Sequence, residues 1–133
     1  MMNAPLHIAA VTGALTLALS TAAGAATIRL VPLSAPSVAT SVTCAAVPAS
    51  ISSAAPAELP TIAVEQNVTG VTSVRIDLDA AGRLTKSSVL ASSGNRWIDQ
   101  AALRAARSSR YGAETRDCAP VGGAYAFVVD FTK

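Results

Sequence analysis

Between residues 71 and 131 the apolar and polar positions alternate in a way that spells out three regular elements. In Val71-Thr72-Ser73-Val74-Arg75-Ile76-Asp77-Leu78-Asp79, Val74, Ile76 and Leu78 fall on one face, with Ser73, Arg75 and Asp77 on the other. A period of two is the mark of a half-buried strand. Asp79-Ala80-Ala81-Gly82 then reads as a turn with Gly82 free to take positive φ, and Arg83 to Ala91 returns with Leu84, Val89 and Leu90. The pair predicts a β-hairpin.

The period then changes. Ile98, Ala101, Ala102 and Ala105 recur at i, i+3, i+4 and i+7, with Leu103 and Ala106 at the margin, which predicts a helix from Arg96 or Trp97 to Ser109. Ser92-Ser93-Gly94-Asn95 ahead of it offers an N-cap, and Asp99 puts negative charge in the first turn. A stripe so rich in Ala lets the helix lie close to a sheet. Alternation resumes from Ala124 to Phe131, with Tyr125, Phe127, Val129 and Phe131 against Ala126, Val128 and Asp130. Hairpin, helix, strand is an α+β order: a small antiparallel sheet with one helix packed on a face.

Upstream, five of the seven prolines (Pro32, Pro36, Pro48, Pro56, Pro60) lie within residues 27–60, among Ser, Ala and Thr. Such a stretch cannot build a helix or an inner strand, and residues 26–57 are read as an extended segment. The domain is placed at 58–133, opening with a short helical turn at Thr61 to Val68.

Charge divides the chain further, because no charged residue precedes Arg29. An apolar stretch from Ile8 to Leu19, followed by Ser20-Thr21-Ala22-Ala23-Gly24-Ala25-Ala26, has the order of a secretory signal peptide, cleaved after Ala25 or Ala26. The rival reading is a retained inner-membrane anchor, since Ile8 to Ile28 gives 21 residues without a charge. Export of residues 26–133 to the periplasm puts Cys44 and Cys118 in an oxidising compartment, where an even pair is expected to bond; two free thiols would be the default in a cytosolic protein.

Catalytic chemistry is sparse. The one His is His7, within the presumed signal, so the exported part has no imidazole base and no His ligand for a metal. Asp77 and Asp79 are two apart beside a turn, where solvated carboxylates are common. Ser92-Ser93-Gly94 lacks the flanking glycines of a nucleophile elbow, no glycine loop would cradle phosphate, and Asn67-Val68-Thr69 is a chance match to a glycosylation sequon. Arg104, Arg107 and Arg110 point away from the apolar stripe; they suit an anionic partner such as a lipid headgroup or cell-wall polymer, or simply a solvated face. A net charge of +2 gives no argument for nucleic acid. No enzyme and no cofactor is expected.

The string from Gly70 to Leu84 resembles the first hairpin of the TonB C-terminal domain family. Ser92-Ser93-Gly94 with Ile98-Asp99-Gln100-Ala101-Ala102-Leu103 resembles that family's Ser-Ser-Gly and Leu-Asp-x-Ala-Ala-Leu, and Tyr125-Ala126-Phe127-Val128-Val129-Asp130-Phe131 resembles its last strand. The resemblance covers residues 58 to 133. It departs after the helix, where Tyr111 leads into Gly112-Ala113 instead of Pro-Ala.

The resemblance implies a periplasmic binding module that recognises extended peptides by β-augmentation, accessory to receptor-dependent outer-membrane transport. The implied partner is the N-terminal peptide of an outer-membrane TonB-dependent receptor, another periplasmic protein, or a second copy of the chain. An envelope structural or dimerisation role without transport is the alternative. The expected site is the backbone of Ala124, Tyr125, Ala126, Phe127, Val128, Val129, Asp130 and Phe131, exposed as an edge strand of a three-stranded sheet.

Overall fold

The computed structural model describes residues 26–34 and 44–132. The presumed signal or anchor, residues 1–25, and His7 with it, lie outside the described residues. Among those described, no helix is long and apolar enough to cross a membrane.

The hairpin forms where its alternation places it, as β3 (Val71–Leu78) and β4 (Leu84–Ala91). Its turn is organised by Asp79. The Asp79 carboxylate accepts hydrogen bonds from the backbone N–H groups of Ala81 (2.9 Å) and Arg83 (2.8 Å) and from Arg83 Nε (3.0 Å). Gly82 sits at φ +78°, and a Cβ there would lie 2.7 Å from the Tyr111 carbonyl oxygen, so both conformation and space call for glycine.

The helix α2 (Arg96–Ser108) starts at Asn95, whose Oδ1 accepts from the N–H of Trp97 (2.9 Å) and Ile98 (3.4 Å). Its buried face is Ile98, Ala101, Ala102, Ala105 and Ala106. These close over Val74, Ile76 and Leu78 of β3 and over Tyr125, Phe127 and Val129 of β8 (Gly123–Asp130), forming one core. Phe127, Ile76, Ile98 and Val74 are its largest fully buried side chains. The short helix α1 (Thr61–Glu65) occupies the start of the expected helical turn and contributes buried Ala63.

The structure differs from the sequence reading in the number and order of strands. The main sheet has four, in the order β1-β8-β3-β4, where β1 is Thr27–Pro32. Every neighbouring pair is antiparallel. The last strand is therefore inner, and the expectation of an open edge along Ala124 to Phe131 is corrected. The reason lies in Thr27-Ile28-Arg29-Leu30-Val31, where Ile28 and Leu30 are half-buried against the core and their neighbours face out. That period of two is hidden by averaging over a proline-rich stretch whose first proline, Pro32, falls at the end of the strand.

Two small ribbons complete the fold. β2 (Ser50–Ser53) pairs with β5 (Arg110–Gly112), and β6 (Glu114–Arg116) pairs with β7 (Ala119–Val121). The β6–β7 turn is Asp117-Cys118, both at positive φ (48° and 66°), as a two-residue type I′ hairpin turn requires.

Candidate functional site

The geometry of β8 is that of a strand served from both sides. Phe131 N–H donates to the Gly70 carbonyl (2.9 Å), just beyond the β3–β8 ladder. Antiparallel pairing alternates, so Tyr125, Phe127 and Val129 also direct their amides toward β3. On the opposite side Leu33 N–H donates to the Ala124 carbonyl (3.2 Å), in register with Val31↔Ala126, Arg29↔Val128 and Thr27↔Asp130. The amides of Ala126, Val128 and Asp130 therefore belong to the β1 seam.

By the same alternation the N–H groups of Ile28 and Leu30 point to the outer side of β1, where Pro32 has none to offer. An outward-facing proline on an edge strand costs no ladder bond and blunts further pairing there. The residues expected to form the site are thus collected on one strand, but the backbone groups along its outer side are occupied by a segment of the same chain.

At one end the seam opens into a groove of about 200 Å³ lined by Leu30, Pro32, Val47, Pro48, Arg116 and Tyr125, among others. Its polar wall is one cluster. Glu114 accepts from Arg116 Nε (2.7 Å) and Nη2 (3.2 Å) and from the Tyr125 hydroxyl (3.0 Å). The Arg116 hydrogen bonds hold the Glu114 carboxyl below its usual range against partial burial. Burial, with the carboxylate beside it, pushes the Tyr125 hydroxyl up to about 12. Both groups keep their usual ionisation at neutral pH, which makes the cluster a fixed wall and not a proton relay.

Cys44 and Cys118 are bonded, as expected, with Cα atoms 5.4 Å apart. The bond joins the chain after β1 to the β6–β7 turn, and the Val47↔Thr115 bridge continues the attachment.

The other candidates resolve into structural roles. Asp77 pairs with Arg75 (3.3 Å), and Asp79 builds the turn. Ser92 and Ser93 hydrogen-bond to Asp99, so Ser-Ser-Gly is part of the helix start. Arg104 donates to the Glu58 carbonyl (3.3 Å) and Arg107 to Ser87 Oγ (3.0 Å); neither pairs with a carboxylate among the described residues. Among those residues no three His, Cys, Asp or Glu side chains gather as for a metal. The sequence reading missed β1, the Glu114–Arg116–Tyr125 cluster and buried Thr72; for β1, the alternation of Ile28 and Leu30 was the available signal.

The family model of the Gram-negative bacterial TonB protein C-terminal matches residues 55–132, over half of the chain. The chain belongs to this family. Neither the curated proteins nor the solved structures gave a match. TonB C-terminal domains are transport-associated domains of the envelope that interact with outer-membrane receptors. The matched region contains β3, β4, α2 and β8 together with Cys118, whereas β1, β2 and Cys44 lie before it. The strand filling the outer side of β8 therefore lies outside the matched region.

Proposed function

We propose that the exported part of this chain is a periplasmic binding module that recognises an extended peptide by β-augmentation on β8, accessory to receptor-dependent outer-membrane transport. One observation carries the reading. The outer side of β8 takes up a six-residue antiparallel strand drawn from outside the family core. An edge that accepts Thr27–Pro32 through backbone bonds offers the same donors and acceptors to any extended segment, with side-chain pockets adding selectivity at alternate positions. The partner class that suits a TonB-like core is the N-terminal peptide of an outer-membrane receptor. Titration of such peptides into isotope-labelled protein tests this. Chemical-shift changes centred on Ala126, Val128 and Asp130 are expected. Binding away from β8, or no binding at millimolar peptide even with β1 disabled by proline at Arg29 and Val31, contradicts the proposal.

A further inference from the structure

We propose that β1 is an intramolecular competitor for the β8 edge, displaced when a partner strand binds; this rests on the β-augmentation reading above. The two seams of β8 are unequal. Along β3, Val74 and Ile76 are fully buried, and Thr72, also fully buried, is bonded to Asp99. Along β1, no residue is fully buried; Ile28 and Leu30 are half-covered and the rest are exposed. Among the described residues, no side chain of β1 makes a hydrogen bond or ion pair. What holds β1 is its ladder, two partly covered aliphatic side chains and the attraction of the Arg29 charge for Asp130 across the seam. Sub-global opening starts where buried apolar contact is least, which makes the β1 seam the one that parts first.

Attachment makes the competition effective. The eleven residues 33–43 join β1 to Cys44, which is bonded to Cys118 of the family core. Because Cys44 is fastened to that core, β1 stays covalently attached to the domain when it parts from β8, and its return is an intramolecular step. A free peptide must outcompete it, so apparent affinity in the intact chain falls below that of the bare edge.

The occupant also indicates what can replace it. Leu30 lies opposite Phe127 and Ile28 opposite Val129, both on the core side. A competing strand therefore needs branched aliphatic residues two apart at these places. A strand slipped by one residue turns them to solvent.

The test uses the full exported chain with the double substitution Arg29→Pro and Val31→Pro. Both residues direct their amides at β8, so the changes remove β1 donors and leave the β8 sequence intact. The probe is a labelled synthetic peptide of residues 26–34, with a shuffled version as control. The expected result is a folded variant that binds the probe more than about tenfold tighter than the unsubstituted chain does, with no binding of the shuffled peptide. A variant that unfolds shows β1 to be an obligatory part of the fold and overturns the proposal. A folded variant that ignores the probe overturns it too. Receptor peptides in parallel separate the two readings. If the variant takes the probe but no receptor peptide, competition stands and the transport role fails. If receptor peptides bind variant and unsubstituted chain equally, recognition stands and competition fails.

Discussion

Thr72 Oγ1 donates to Asp99 Oδ1 at 2.6 Å, tying the start of β3 to the first turn of α2. Asp99 also accepts from Ser93 N–H (2.9 Å), Ser93 Oγ (2.8 Å) and Ser92 Oγ. One carboxylate thereby holds the strand, the loop after β4 and the helix start in a single arrangement. Partial burial alone would raise its pKa, but the hydrogen bonds from Ser92, Thr72 and Ser93 outweigh that and bring it down to about 2.

Because that pKa is depressed on folding, the stabilisation is complete above the unfolded value near 4 and is lost as pH falls through 2. Asp99→Asn should cost about 1–2 kcal/mol at neutral pH, allowing for solvent screening. Urea titrations at pH 7 and pH 2 check both points: the difference between the two proteins should shrink at the lower pH.

The disulfide should matter to the fold. Its loop spans 74 residues in sequence, for which the chain-entropy model gives about 4 kcal/mol at most. Replacing Cys44 and Cys118 together with Ser should lower Tm by several degrees in calorimetry, and reduction of the unsubstituted protein should do the same.

Gly82→Ala should destabilise by about 1–3 kcal/mol, because φ +78° is unfavourable to alanine and the Cβ meets the Tyr111 carbonyl. Equilibrium denaturation is the check. Gly94, also at positive φ but with open space around it, should lose less on the same substitution.

The hairpin, the helix with its Ala face and the last strand were legible because each is long enough for its period to emerge from neighbours of opposite character. β1 was not, since Ile28 and Leu30 give only two inward positions before Pro32 and the prolines beyond it dominate the segment. Missing β1 turned an inner strand into a supposed edge. The β6–β7 hairpin escaped for a different reason: its turn is Asp117-Cys118, without the Gly or Asn that usually signals two successive positive φ values. Asp99 was readable as helix-start charge, but its bond to Thr72, 27 residues earlier, depends on tertiary packing.

Across the β1–β8 pair, truncations should have unequal effects. Phe127→Ala removes a fully buried ring that meets Tyr111 edge-on at 6.2 Å and should cost about 3–5 kcal/mol. Leu30→Ala, on a half-covered side chain, should cost about 1 kcal/mol. Guanidinium melts of the two variants would show whether the sheet depends on β1 as little as its burial implies.

Amide hydrogen exchange reads the permanent seam and the exchangeable seam of β8 within a single strand. Ala126, Val128 and Asp130 report on β1; Phe127, Val129 and Phe131 report on β3. In the free chain of residues 26–133 the first set should exchange at least about tenfold faster than the second. Equal protection in the two sets, with β1 parting from β8 only when the whole domain unfolds, would contradict the account.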